Sequence, residues 1–192
     1  MSEKQKMKLP FGFGKKTKND TAKSNNMHAK LTDEHKQSLK LNQQAIISNK
    51  TSFVIQEAYK TARTNIIFSV SGSNDTGCKK IAFTSANQGE GKTTSCINLA
   101  ITFAQTGAKV LVIDGDMRRP RIHQYLGIIK TDGLSTVLSM QKTFDEVVYR
   151  DVRPNLDLIT SGSIPPNPAE LLSSKAMTDL IDVLSLRYEY IF

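Results

Sequence analysis

The stretch "KKIAFTSANQGEGKTTSCINLAITFAQTGAKVLVID", residues 79–114, decides the fold. Residues 79–86 read as a strand, and residues 93–107 have the spacing of a helix that ends at Gly107. The run "KVLVID" at 109–114 is rich in β-branched residues and lacks polar alternation, which is typical of a parallel strand covered on both faces. Strand, helix and strand in succession predict a right-handed βαβ unit.

The turn between the first strand and the helix has the pattern of a phosphate-binding loop. The segment "ANQGEGKTT" at 86–94 has Ala86 where such loops usually begin with glycine, and it continues to Gly91-Lys92-Thr93. Gly89 and Gly91 can take positive φ angles, which lets backbone N–H groups surround a phosphate at a helix N-terminus. We expect Lys92 to reach the β- and γ-phosphates of a nucleotide and the Thr93 hydroxyl to bind Mg²⁺. The alternative is a glycine-rich turn that contains a lysine by chance.

Two aspartates at the end of the second strand predict a metal site. Asp114 and Asp116 follow the run "VLVI", and we expect their strand to lie beside the first one. Two close carboxylates repel each other unless a cation separates them, and Mg²⁺ bound to nucleotide phosphates would be that cation. One aspartate would then be left to orient a hydroxyl or water nucleophile. Arg118 and Arg119 would neutralise nearby phosphate or carboxylate charge; the alternative is a turn with solvated aspartates.

The rest of the chain continues the alternation of helices and strands. The spacing predicts a helix over 52–70, three short helical segments at 121–127, 133–140 and 143–149, a strand at 155–160, one helix over 168–187 and a strand at 188–192. This order predicts an α/β fold of the P-loop NTPase type, with an open parallel sheet and helices on both faces. Ligands of such sheets bind beyond the carboxyl ends of the strands.

Charge is distributed unevenly along the chain. Of its 26 Lys and Arg and 18 Asp and Glu residues, residues 1–50 hold 11 Lys and 4 acids, so residues 51–192 are nearly neutral. This asymmetry predicts a disordered basic tail at 1–50 and a folded domain at 51–192. The tail is either a solubilising leader or a segment that contacts an anionic membrane surface or an acidic partner through Lys15, Lys16 and Lys18. No nucleic-acid partner is expected, since the tail has no arginine.

The sequence predicts a cytosolic protein. No stretch reaches the roughly 18 to 20 apolar residues that a membrane span needs. Cys78 and Cys96 lack the spacing of metal ligands, so we expect two reduced thiols.

Four segments together resemble the bacterial tyrosine kinases (BY-kinases) of capsular and exopolysaccharide operons, in particular the cytosolic subunit of Gram-positive bacteria. They are "EAYKTARTNI" (57–66), "TSANQGEGKTT" (84–94), "VLVIDGDMRRP" (110–120) and "TSGSIPPNPAELLSS" (160–174). The resemblance covers about residues 52–192 and implies ATP-dependent autophosphorylation on tyrosine, with ATP and Mg²⁺ as cofactors.

The resemblance also implies roles for individual residues. The family's Walker A motif maps onto residues 86–93, and its Walker A′ motif onto Asp114, Asp116 and Arg118. The first aspartate would help to deprotonate the attacking tyrosine, and both aspartates, with Thr93, would hold Mg²⁺. The residues expected to contact the nucleotide are Asn87, Gln88, Gly89, Glu90, Gly91, Lys92, Thr93, Thr94 and Arg118.

Assembly and regulation are further implications of the resemblance. Family members form rings through a Glu-x-x-Arg-x-x-Arg motif, which here reads Glu57, Lys60 and Arg63. Lysine keeps the charge of the missing arginine but loses its two-pronged hydrogen bonding, which puts the stability of a ring in question. A membrane-anchored activator would hold the subunit at the inner face of the cell membrane and control polysaccharide polymerisation and export.

Two departures from the family pattern leave alternatives open. The family continues past "YEYIF" (188–192) into a Walker B aspartate and a tyrosine-rich tail, so we expect a C-terminally truncated chain with an incomplete sheet, whose activity is uncertain. A non-catalytic fragment is therefore one alternative. The other is a positioning ATPase of the ParA/MinD type, but those proteins carry Lys-Gly-Gly-x-Gly-Lys, where this chain has Asn87 and Gln88 at the first two positions.

Overall fold

The computed structural model describes residues 36–71, 77–129 and 132–192, and the predictions for the first 35 residues lie outside these ranges. Leu39–Phe192 forms one compact unit, in which residues 39–44 are helical. The helices that follow are α1 (Phe53–Ser71), α2 (Lys92–Ala104), α3 (Ile122–Leu126), α4 (Leu134–Leu138), α5 (Phe144–Val147), α6 (Pro168–Leu172) and α7 (Lys175–Ser185). The strands are β1 (Lys79–Lys80), β2 (Val110–Ile113), β3 (Tyr149–Arg153), β4 (Leu156–Ile159) and β5 (Tyr190–Ile191).

The strands form one sheet in the order β1-β5-β2-β4-β3. The first four of these are parallel, which confirms the predicted α/β fold, whereas β3 runs antiparallel to β4. Strand β3 was not predicted; it pairs through a tight turn in which Asn155 has a φ of 63°. Local sequence did not reveal it, because the segment lies at the sheet edge and has no run of buried side chains.

The predicted contact between β1 and β2 is wrong, because β5 lies between them. Tyr190 of β5 is paired with Lys79 of β1 on one side and with Val110 of β2 on the other. The βαβ unit therefore spans one intervening strand. Strand β1 is also shorter than predicted: beyond Lys80 a single hydrogen bond, from Ile81 N to Ile191 O at 2.8 Å, continues the pairing before the chain enters the loop.

The predicted helix over 168–187 is two helices in the structure. Pro168 begins α6 as expected, but the helix ends at Leu172. The Ser174 hydroxyl accepts a hydrogen bond from the backbone N–H of Met177 at 3.3 Å and so caps a new helix, α7. Serine side chains compete for backbone groups in this way, which apolar periodicity does not show. Helix α2 forms where it was predicted but ends at Ala104, with Gln105 and not the predicted Gly107 as its C-terminal cap; Gly107 follows with a φ of 93°.

Helices cover both faces of the sheet. Val110 and Val112 of β2 lie in one buried cluster with α2, while Leu111 lies in a second cluster with α4, α5 and α7. Ile46 and Ile47 belong to the first cluster, and the backbone N–H of Ile47 donates to Asn98 Oδ1 at 2.9 Å. The compact unit therefore begins before the predicted boundary at residue 51. No helix in the described ranges is long and apolar enough to span a membrane.

Candidate functional site

The loop that precedes α2 has the backbone of a phosphate-binding loop. Gly89 and Gly91 have φ angles of 88° and 87°, as the sequence predicts, and Lys92 is the first residue of the helix. A β-carbon at Gly89 would meet no atom within 4 Å. Glycine is therefore favoured at this position by the left-handed backbone and not by crowding.

Side chains within the loop brace it. Asn87 donates to Glu90 twice, from its backbone N to Oε2 at 3.2 Å and from Nδ2 to Oε1 at 2.9 Å. The side-chain hydrogen bond from Asn87 is the main cause that lowers the pKa of Glu90. Ser85 Oγ donates to the Asn87 carbonyl at 3.0 Å and lies 3.5 Å from Lys92 Nζ.

The two aspartates after β2 occupy different environments. Asp114 is only 2% exposed, and its two carboxylate oxygens accept the backbone N–H groups of Asp116 at 3.2 Å and Ile122 at 3.3 Å. Asp116 is exposed, and its Oδ1 accepts the backbone N–H of Arg119 at 2.9 Å. The carboxylates thus fold the segment from 114 to 122 into a fixed loop.

Two cavities meet at the phosphate-binding loop. A polar cavity of about 480 Å³ is lined by the loop, by Thr94, by Asp116 and by Arg118, Arg119 and Arg121. A largely apolar cavity of about 510 Å³ lies at the carboxyl ends of β1, β5 and β2, and Asp114 lines it with Phe83, Ile181 and Phe192. Lys92, Thr93 and Asp116 line both cavities.

This arrangement brings together most residues that the sequence singled out. Asn87, Gln88, Gly89, Gly91, Lys92, Thr93 and Thr94 line the polar cavity with Asp116 and Arg118, whereas Asp114 lines the apolar one and Glu90 lines neither. Arg121 and Tyr125 also line the polar cavity and were not predicted from the sequence. The Arg119 guanidinium donates a hydrogen bond to Gln88 Oε1, which joins the segment after β2 to the phosphate-binding loop and was not predicted either.

Cys96 lies one turn into α2 and lines the apolar cavity. Burial, and then the charge of Asp114, raises the pKa of its thiol to about 12. The thiol is therefore protonated at neutral pH and is not a nucleophile there. The described residues contain no disulfide, and the reduced state of Cys78 and Cys96 stays a prediction.

The predicted oligomerisation residues lie on α1 and line neither cavity. Lys60 Nζ and Glu57 Oε1 form a pair at 2.8 Å, and Arg63 Nη1 donates to the Thr102 carbonyl near the end of α2 at 2.7 Å. These side chains make the contacts described here within one chain, and their role between subunits stays a prediction.

The oxygen donors at the junction of the cavities fit a magnesium ion bound together with phosphates. The described residues hold no cluster of three or more His, Cys, Asp or Glu side chains that could bind a metal on their own. Mg²⁺ usually takes one or two protein carboxylates and completes its shell with water and substrate phosphates. The Thr93 hydroxyl and the Asp116 carboxylate, beside Lys92, are donors of this kind.

Comparison with known proteins gives the chain's relatives. Residues 78–191 match the sequence model of a family described as AAA domain. The chain is similar to the tyrosine-protein kinase YwqD of Bacillus subtilis (strain 168), with 48% identity over 124 residues, which are 65% of this chain and 51% of that protein. The chain therefore spans about half the length of this relative.

Solved structures show the same likeness. The kinase domain of VpsO has a TM-score of 0.61 and 34% identity over 72% of this chain and 68% of that one. The septum site-determining protein MinD of Pyrococcus horikoshii, complexed with Mg-ADP, has a TM-score of 0.51 at 24% identity over 59% of this chain and 47% of its own, which is a likeness in fold alone.

Proposed function

Because the chain belongs to the bacterial tyrosine kinases, we propose that it transfers the γ-phosphoryl group of ATP to tyrosine hydroxyls of proteins, including copies of itself. The observation that carries the proposal is the junction of the two cavities, where Lys92, Thr93 and Asp116 face both. One cavity suits phosphates and the other suits an aromatic ring, so a donor and an acceptor could meet at the same side chains.

The polar cavity is the proposed nucleotide site. Backbone N–H groups of the loop and Lys92 Nζ would bind the β- and γ-phosphates, and Arg118 would add a further positive charge. Thr93, Asp114 and Asp116 are the proposed protein ligands of Mg²⁺. When bound, Mg²⁺ neutralises charge on the phosphates as the bond to the leaving oxygen breaks.

The apolar cavity is the proposed acceptor site. Its lining of Phe83, Ile181 and Phe192 suits a tyrosine ring, and Asp114 lies at the same cavity. We assign Asp114 to accept the tyrosine proton while the tyrosine oxygen bonds to the γ-phosphorus and ADP leaves. Such transfer depends mainly on positioning and charge, which the bonded loop from 114 to 122 would supply.

The wider role follows the family resemblance. A membrane-anchored activator would bring the subunit to the inner face of the cell membrane, ring assembly would present tyrosines of one subunit to the next, and phosphorylation would regulate capsular or exopolysaccharide polymerisation and export. The alternative of a ParA/MinD-type ATPase is less well supported, because Asn87 and Gln88 replace its lysine and glycine and are bonded to Glu90 and Arg119.

Binding of fluorescent ATP to the chain tests the nucleotide site. We expect Mg²⁺-dependent binding that Lys92→Ala or the pair Asp114→Ala and Asp116→Ala weakens at least tenfold, while Arg153→Gln, an exposed change in β3, has no effect. Phosphotyrosine formed with MgATP and the activator's cytoplasmic tail then tests the chemistry. Equal binding after loss of both acids and removal of Mg²⁺ would contradict the proposed site, and binding without phosphotyrosine would contradict the kinase assignment.

A further inference from the structure

The polar cavity has an excess of positive charge. Lys92, Arg118, Arg119 and Arg121 line it, and Asp116 is its only carboxylate among the described residues. Within the described part of the chain, the side chains of Arg118 and Arg121 make no hydrogen bond or ion pair, and that of Arg119 contacts the neutral amide of Gln88. Such a group of unpaired cations repels itself unless an anion binds.

The arginines are held in place by the backbone and not by their own charge. Arg119 N donates to Asp116 at 2.9 Å, and Ile122 N, next to Arg121, donates to Asp114 at 3.3 Å. The guanidinium groups therefore project from a loop whose two ends are fixed by the proposed catalytic acids. A ligand that they bind would lie in the same cavity as Lys92 and Asp116.

We propose that Arg119 and Arg121 form a carboxylate-binding subsite that selects acceptor tyrosines flanked by acidic residues. The inference rests on the proposed kinase function and names the substrate class of that site. Mg²⁺ neutralises part of the negative charge of the triphosphate, and Lys92, Arg118 and the loop amides balance the rest. The guanidinium groups of Arg119 and Arg121 are then left to bind a second anion. Arginine binds carboxylates with two parallel hydrogen bonds, so a glutamate or aspartate beside the tyrosine is the ligand that fits.

Binding of peptides to the chain saturated with MgADP tests the subsite without requiring turnover. The probes are a fluorescent peptide with tyrosine between glutamates and a matched peptide with glutamines, measured by anisotropy at low salt. We expect the glutamate peptide to bind roughly tenfold more tightly, in line with one or two charge-assisted hydrogen bonds. Arg121→Gln should remove most of that difference, and added salt should reduce it.

Controls separate the subsite from the nucleotide site and from folding. Arg153→Gln, a change at an exposed arginine on the edge strand, should leave the binding of both peptides unchanged. Arg121→Gln should keep the melting temperature and should lower the affinity for ADP far less than Lys92→Ala does. Arg119→Lys should retain part of the preference, because the charge remains. Equal binding of the two peptides, or binding of neither, would overturn the inference. So would a loss of ADP affinity in Arg121→Gln as large as its loss of affinity for the glutamate peptide. Peptide selectivity without phosphotyrosine in the kinase assay would leave the subsite standing and reject the kinase function.

Discussion

The carboxylate of Asp114 accepts the backbone N–H of Ile122, eight positions further along the chain, at 3.3 Å. Its other oxygen accepts the N–H of Asp116 at 3.2 Å. The buried Asp114 carboxylate therefore links the two ends of the segment that carries Asp116 and the three arginines. It stabilises this loop in addition to its proposed role in the chemistry.

Replacement of Asp114 should therefore cost more stability than replacement of Asp116. Asp114→Ala leaves two backbone donors without their acceptor at a buried position, and we expect the free energy of unfolding to fall by about 1–3 kcal/mol. Asp116→Ala removes one hydrogen bond, from Arg119 N, at an exposed position where water can replace the acceptor, so we expect a smaller loss of about 0.5–1 kcal/mol. Urea unfolding of the two variants measures the difference. Equal stability would show that the Asp114 bonds do not hold the loop.

Alanine at Gly89 or Gly91 should destabilise the phosphate-binding loop. Both glycines have left-handed φ angles, 88° and 87°, which cost an L-residue about 1–2 kcal/mol. We expect each variant to lose about that much stability or to rearrange the loop and lose nucleotide affinity. Gly115→Ala is the matched control, because its β-carbon meets nothing within 4 Å and its φ is not positive. If all three variants behave alike, the loop backbone is not under this constraint.

Crowding, and not backbone conformation, should decide the effect of Gly133→Ala. A β-carbon there would lie 2.2 Å from the Thr160 carbonyl oxygen and 2.5 Å from the Gly162 amide nitrogen, both backbone atoms. Overpacking of this kind costs typically about 1–3 kcal/mol and occasionally more, so we expect a loss at the upper end of that range. Thermal unfolding beside Gly115→Ala measures it. A loss no larger than that of the control would mean that the backbone at Gly133 is free to move away from the segment of Thr160 and Gly162.

Sequence patterns predicted the parts of the site that depend on local backbone chemistry. Gly89, Gly91 and Lys92 could be found because a phosphate-binding loop requires fixed residue types at fixed spacing, and Asp114 because it ends a buried apolar run. The insertion of β5 between β1 and β2 could not be found, since strand order depends on pairing between distant segments. Arg121 gave no signal of its own: only the fold shows that an exposed arginine lines the same cavity as the phosphate-binding loop.

Cys96 should make the protein less stable at alkaline pH. Burial, and then the charge of Asp114, raises the pKa of its thiol to about 12 from an ordinary value of 9.0. Between these values the unfolded chain releases the proton while the folded chain keeps it, so stability is fully present below pH 9 and falls as the pH rises above it. The slope should approach 1.4 kcal/mol per pH unit above pH 9, and Cys96→Ala should remove it.

Urea unfolding at pH 8 and pH 10 measures the slope in both proteins, and comparing slopes cancels the cost of the smaller side chain. Tyr188, whose pKa is also raised by burial, affects both proteins equally. An identical slope in Cys96→Ala would contradict the raised pKa, because it would show that the thiol ionises as readily in the folded chain as in the unfolded one.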